Sequence, residues 1–237
     1  MDFSNEYNNV QNSVIRVISI INQGGINQQI VSAGSGVLID NGKRVLTCSH
    51  CIVANTITVG VLSGQNNGQI GTVIFNDVNL DIAIVEFQQT LGPGVVLGNS
   101  NNTQIGQEAF VVGFPSHTTN ITALGAHIAG FEPNNGIELI KIDASVNHGN
   151  SGGPLFNSAG ELIGIVNSKF GNLSSFLNQI QQANTGGISM AIGGIDPVQV
   201  LQQLIAEMKK NLNLGMGSAV PLRAIGNVTN IIGDLLV

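Results

Sequence analysis

The chain has 237 residues, 43% of them apolar and only 9% charged, with a formal net charge of −6. This is a globular composition, long enough for one large domain or two small ones sharing an interface. With no Trp, a single Tyr and no cation run longer than Lys209–Lys210, the sequence offers nucleic acid neither a basic patch nor a stacking platform.

The N-terminus, "MDFSNEYNNV", is polar and carries Asp2 and Glu6 where a secretory leader would be positive. The apolar run from Val14 to Ile21 is broken by Arg16 and is too short to cross a bilayer. These features, with only two cysteines, predict a cytoplasmic location; an exported mature form is the alternative. From Ser13 to Phe87 the segments "SVIRVISII", "GSGVLI", "RVLTCS", "TITVGVL", "IGTVIF" and "DIAIVEF" are rich in Val, Ile and Thr and separated by Asn, Gly and Asp. They read as about six short strands. A Gly-, Asn- and Gln-rich stretch, "QQTLGPGVVLGNSNNTQIG", reads as a linker. A second set of about six strands follows: "QEAFVVGFP", "ITALGAHIAGF", "IELIKIDASV", "PLFNSAGELIGIVNSKF" and "GISMAI".

The predicted organisation is all-β with two units, residues 10–95 and 96–195, then a helix over 196–212 and an apolar tail over 213–237. Asp196 suits the helix N-cap, Pro197 its first position and Gln199 a capping box. Val198, Leu201, Ile205, Met208 and Leu212 give that helix one apolar face. In the tail, Leu222, Ile225, Val228, Ile231, Ile232 and Leu235 form a second stripe, interrupted by Gly226 and Gly233. The stripe fits a weak helix packed on the body, an oligomer contact or an interfacial membrane helix. With Arg223 as its lone cation the membrane version is the weakest. A homo-oligomer stays open.

Cys48 and Cys51 form a C-x-x-C pair. No second ligand pair with zinc spacing follows, and the motif opens no βαβ unit, so both read as ordinary buried thiols. No metal and no cofactor is expected.

The stretch "VNHGNSGGPLF" raises the possibility that Ser151 is a nucleophile. A serine hydroxyl needs a base, and His is the usual one because it titrates near neutrality. Four are available: His50, His117, His127 and His148. His50, in "RVLTCSHCIV", stands where a β-run ends in a small-residue turn, which is the best setting. His117 lies in a loop, His127 within a strand, and His148 only three residues from Ser151. Asp81 begins the apolar run "DIAIVEF", where an unpaired carboxylate would be costly and a partner His would satisfy it. Asp77 has a more turn-like setting. Gly149, Asn150 and Ser151 then form the loop where an oxyanion would sit, with the N–H groups of Gly149 and Ser151 as donors.

In this order His50, Asp81 and Ser151 resemble the chymotrypsin-fold serine peptidases. "LTCSHC" is similar to the family's histidine motif, "DIAIV" to its aspartate motif and "GNSGGPL" to its serine motif. "GSGVLI", "LGNS", "IGQEAFVVGFP" and "GELIGI" are similar to the HtrA/Deg branch. The resemblance covers about Val14 to Leu212. It implies two packed six-stranded antiparallel β-barrels with the triad in the cleft between them, and peptide-bond hydrolysis of polypeptide substrates without metal or cofactor.

It also implies that Ser145 lies near the base of the pocket for the residue before the scissile bond. Asn167, Ser168 and Lys169 would supply the strand that pairs with substrate, Gly187–Ser189 a further wall, and His148 the cleft rim. An uncharged Ser145 disfavours Lys or Arg at that subsite and favours small or medium apolar side chains; Lys169 keeps an acidic preference open. Three features depart from the family pattern. About 25 residues follow the predicted helix, too few for the PDZ domain that HtrA proteins carry. Asn150 stands where secreted trypsins have an activating Asp, so trypsin-type zymogen activation is not expected. His148 replaces a usual Pro. The alternatives to an active endopeptidase are a silent peptide-binding scaffold and a protease held latent by its own tail.

Overall fold

The structure, a computed structural model, describes residues 2–22, 28–65, 67–115, 120–167, 200, 202–204 and 215–236. Twelve strands close into two antiparallel barrels. The first barrel runs in the order β1-β2-β3-β6-β5-β4. Its strands are β1 Val14–Asn22, β2 Gln28–Ile39, β3 Arg44–Thr47, β4 Ile57–Leu62, β5 Gln69–Asp77 and β6 Ile82–Phe87. The second runs β10-β11-β12-β9-β8-β7. It is built from β7 Glu108–Gly113, β8 Thr122–Asn134, β9 Ile137–Ile142, β10 Pro154–Asn157, β11 Leu162–Asn167 and β12 Gly217–Pro221. The expected fold class is the one observed.

Side-chain alternation explains why several strands read as unbroken apolar runs. In β7, Ala109 and Val111 point into the second barrel, whereas Phe110 and Val112 join the core between the barrels. In β1, Ile15 and Val17 fill the first barrel and Val14 faces the shared core. That shared core also holds Leu46, Ile82, Ile84, Phe156, Ile165 and Val220. Each such side chain contributes roughly 1.5–3 kcal/mol on burial, so the two barrels are held as one body. A short helix with no strong sequence signal, α1 Ser4–Val10, starts the described chain. It places Phe3 on Phe110, ring centroids 4.8 Å apart, and Phe110 stacks in turn on Phe156.

The largest departure from expectation concerns the tail. The sixth strand of the second barrel is β12, from the segment assigned to the tail; it lies between β11 and β9. The second barrel therefore extends beyond the expected 96–195. Two short helices follow, α2 Leu222–Val228 and α3 Asn230–Gly233, with Thr229 capping the second through its side chain and Ile231 N. Leu222, Ile225 and Ile232 are buried in the shared core. Part of the apolar stripe is thus a packing face, while Val228 and Leu235 stay exposed, and a tail lying in the cleft is corrected by the burial of Ile232 in that core. The predicted strand "GISMAI" lies outside the described residues. So does most of the 196–212 helix; only Val200 and Gln202–Leu204 are described, and these are helical. Among the described residues no helix is long and apolar enough to cross a membrane.

Candidate active site

The first barrel supplies a histidine and a carboxylate. β3 ends in a single 3-10 turn, Ser49–Cys51, which carries His50 out of the sheet. Asp81 stands immediately before β6 with φ +57°, a left-handed backbone that Asp tolerates better than most residues. Asp77 shapes the approach: its Oδ1 accepts from the N–H groups of Asn79 and Leu80, each at 2.9 Å. This is a turn-capping role, as its setting suggested.

Asp81 is buried and holds His50 at two points. Oδ1 accepts from His50 N at 2.9 Å, and Oδ2 lies 2.6 Å from His50 Nδ1. A carboxylate so placed accepts a hydrogen bond from Nδ1–H, which keeps the ring proton on Nδ1 and leaves Nε2 as the acceptor. A third bond comes from the other barrel: Asn167 Nδ2 donates to Oδ2 at 2.8 Å. The buried charge therefore has three donors, which is what its desolvation requires. The sequence assigns Asn167 to a substrate-pairing strand and misses this side-chain role. The available signal is a lone amide ending the apolar run "LIGIVN", a buried polar group that must find a partner.

The second barrel supplies the serine loop. Asn150 N donates to Asn147 O at 3.0 Å, closing a turn in which Gly149 has φ +93°. A positive φ at the third residue marks a type II turn, whose central peptide points the opposite way from that of a type I turn. Gly149, Asn150 and Ser151 are all buried. Asn150 belongs to the loop through its backbone, and its N–H is spent closing the turn, consistent with Gly149 and Ser151 as the expected donors. Its Oδ1 is buried and, among the described residues, has no hydrogen-bond partner. At Gly152, φ is +82° and an added Cβ would stand 2.2 Å from Ser35 O and 2.3 Å from Thr47 Oγ1. Only glycine fits so close to the first barrel.

The two halves meet through Ser35 of β2. Ser35 N donates to Ser151 O at 2.8 Å, and Ser35 Oγ donates to Gly149 O at 2.6 Å. Phe114 N donates to Ser35 Oγ at 2.9 Å. The thiols reach across as well, Cys48 Sγ to Val166 O at 3.3 Å and Cys51 Sγ to Ser151 O at 3.6 Å. Both cysteines are buried thiols outside any disulfide, as expected. Cys51, next after His50, is thereby tied to the serine loop, and Cys48, two residues before it, to β11. Sequence reasoning missed Ser35; its only mark is a small polar residue between two glycines in "GSGVLI".

Of the residues implied for substrate, Ser145 is exposed between buried Ala144 and Val146, and His148 is exposed on the turn. Gly217 of β12 lies so close to Val146 and the Ala144 carbonyl that an added Cβ would stand 2.5 and 3.2 Å from them. Gly187–Ser189, expected as a further wall, lie outside the described residues, as do Ser168, Lys169 and His117. His127 pairs with Asp143 on the exposed face of β8. Asp143 is held below its ordinary carboxylate value, first by the His127 backbone N–H. Among the described residues one group of three metal-capable side chains occurs, Cys48, His50 and Asp81.

The trypsin-like peptidase domain family matches the chain over residues 34–165. HhoA of Synechocystis sp., named as a serine protease, is 35% identical over 192 residues, covering 76% of this chain and 44% of its own length. A DegP-like protein of Pseudomonas fulva, named as a periplasmic serine endoprotease, is 30% identical over 189 residues, 78% of this chain and 37% of its own. The chain thus spans less than half the length of these relatives. Among solved structures, the HtrA-type protease AlgW with decapeptide superposes with TM-score 0.70 at 18% identity, covering 100% of this chain and 68% of that one. AlgW with tripeptide gives 0.65 at 21%, covering 94% and 61%. The cytoplasmic expectation is corrected here: DegP-like relatives are named as periplasmic, which points to an exported or periplasmic location. The polar start and the few cysteines that suggested otherwise do not read out compartment. By fold, by motif order and by the match over 34–165, the chain belongs to the trypsin-like peptidase domain family, among relatives of the HtrA and DegP type.

Proposed function

We propose that this chain is a serine endopeptidase domain in which Ser151 is the nucleophile, His50 the general base and acid, and Asp81 the carboxylate that orients it. The observation that carries this reading is the buried Asp81, which receives both His50 Nδ1 and His50 N beside the serine loop. His50 Nε2 takes the Ser151 hydroxyl proton as Oγ bonds to the substrate carbonyl carbon. The N–H groups of Gly149 and Ser151 stabilise the oxyanion, each such donor being worth about 10²–10³-fold in rate in serine peptidases. The C–N bond then breaks, His50 returns the proton to the leaving amine, and water repeats the sequence on the acyl-enzyme.

Peptide ligands in the AlgW structures support a polypeptide substrate for this chain. The uncharged Ser145 supports small or medium apolar side chains before the scissile bond. His148, at the exposed corner of the turn, and Asn167, Ser168 and Lys169 supply the remaining contacts. The boundary between the two functional halves falls near residue 96, with His50 and Asp81 on one side and Ser151 on the other.

Treatment with a fluorophosphonate, read by intact mass, tests the reading. One adduct on the wild type and none on Ser151→Ala or His50→Ala is the expected result. A folded wild type that takes no label sinks it and leaves the peptide-binding scaffold.

A further inference from the structure

We propose that Cys48, His50 and Asp81 form an inhibitory site for a borderline-soft divalent cation such as zinc. Inhibition rests on the protease reading above; binding does not. The three residues each offer one ligand atom, Sγ, a ring nitrogen and a carboxylate oxygen, all within 4.8 Å of one another, and Nδ1 is the ring nitrogen that faces Asp81. Zinc accepts this mixture of thiolate, imidazole and carboxylate at about 2.0–2.3 Å per bond. Ligand atoms around a tetrahedral zinc then stand roughly 3.2–3.6 Å apart. His50 Nδ1 and Asp81 Oδ2, now 2.6 Å apart, must separate by about 1 Å, and Cys48 Sγ must leave the Val166 carbonyl.

Two features favour the ion once it arrives. The first is charge. Cys48 loses its thiol proton to solvent, and the His50 Nδ1 proton is replaced by one on Nε2. The bound state is Zn²⁺ with one thiolate, one carboxylate and one neutral imidazole, so a mostly buried site carries no net charge. One proton is released per ion. The second is the outer set of hydrogen bonds: His50 N on Oδ1 and Asn167 Nδ2 on Oδ2 already orient the carboxylate.

The consequence for catalysis follows from the same proton count. A metal on Nδ1 puts the ring proton on Nε2, the atom that must accept from Ser151. It also takes Asp81 from His50. The serine loses its base while both barrels stay folded.

The test uses zinc and, as a spectroscopic stand-in, cobalt(II), on the whole chain in metal-free buffer. Peptidase activity before metal is added reports on the protease reading alone. Zinc at micromolar concentration is expected to inhibit the wild type, with apparent affinity rising about tenfold per pH unit while the thiol is protonated. Cys48→Ser should need at least about tenfold more zinc for half-inhibition, whereas Cys51→Ser should respond as wild type. Cobalt should give a near-ultraviolet thiolate charge-transfer band on the wild type and on Cys51→Ser, and none on Cys48→Ser. That band needs no turnover and no variant, so an absent band on the folded wild type overturns the proposal whatever the activity. Equal inhibition of wild type and Cys48→Ser also overturns it, since the ion would then sit on His50 alone.

Discussion

Two histidine–aspartate pairs in this molecule share one bonding pattern. In both, the histidine backbone N–H goes to one carboxylate oxygen and Nδ1 faces the other: His50 with Asp81, His127 with Asp143. Their surroundings differ. The Asp81 side chain is 7% exposed and Asp143 50%. Asp81 has a third donor, Asn167, from the opposite barrel. His50 stands beside the loop of Ser151, which Cys51 touches, whereas His127 lies in mid-strand on an exposed face. The pair geometry is therefore cheap to build and carries no function by itself. Burial, a third hydrogen bond and a neighbouring nucleophile turn one copy into a candidate catalytic dyad.

The greatest contrast should appear when each carboxylate is neutralised in place. Asp81→Asn keeps the shape but no longer fixes the Nδ1–H tautomer. Its kcat on a peptide substrate should fall by about 10⁴, the loss this substitution causes in serine peptidases generally. Asp143→Asn should stay within about twofold, because nothing reactive adjoins it. Equal losses in the two variants would remove the distinction drawn here.

A third carboxylate can be introduced where burial is complete and donors are missing. Asn150 is buried, and its Oδ1 has no partner among the described residues. Asn150→Asp should destabilise the fold by on the order of 3 kcal/mol at neutral pH, the cost of an uncompensated buried charge. Burial raises the folded-state pKa of such a group above its unfolded value. The destabilisation should then be full at high pH and fade as pH falls through the folded value, where the carboxyl is neutral. Thermal unfolding at pH 5 and pH 8 measures it; an unchanged difference between the two would show that the site supplies a donor after all.

Removing the donor that sets the buried pair apart should have a smaller effect. Asn167→Ala takes away one hydrogen bond to a charged group, worth about 1.5–3 kcal/mol. Because Asn167 acts through Asp81, kcat should drop by about tenfold or somewhat more while KM stays within about threefold. Asn167→Ser, which restores a short donor, should recover part of the loss. A change in KM alone would return Asn167 to a purely substrate-facing role.

These contrasts also show what the sequence made legible. Asp81 could be found because a carboxylate opening an apolar strand demands a partner, and His50 because it stands at a strand end. The serine loop is legible because its glycines have separate uses: φ +93° at Gly149, and no room for a Cβ at Gly152. Contacts between barrels are what escape. Ser35 to Gly149 spans 114 positions and Asn167 to Asp81 spans 86, and no local pattern encodes such distances. The sixth strand of the second barrel escapes for another reason. "GSAVP" is short, Gly-led and ends in Pro, so it carries a turn's composition. Its strand character comes from pairing with β11 and β9 rather than from propensity. The stripe beyond it was visible, but only the packing of Leu222, Ile225 and Ile232 says what it covers.

The smallest expected effect concerns the exposed pair and is read in stability alone. The His127 backbone N–H, and then its ring, favour the charged form of Asp143, so its folded pKa lies below the unfolded one. A group of this kind stabilises the fold above its unfolded pKa, about 3.9, and the contribution disappears as pH falls through the lower folded value. Asp143→Asn should therefore differ from wild type in full above about pH 4 and by less as the pH falls further. With both side chains half exposed and screened by water, the difference should stay below about 0.5 kcal/mol. In thermal melts that is roughly 1–2 °C at pH 7, shrinking towards zero near pH 3. A larger difference, or one that grows on acidification, would mean that this pair is not the solvated copy of the buried one.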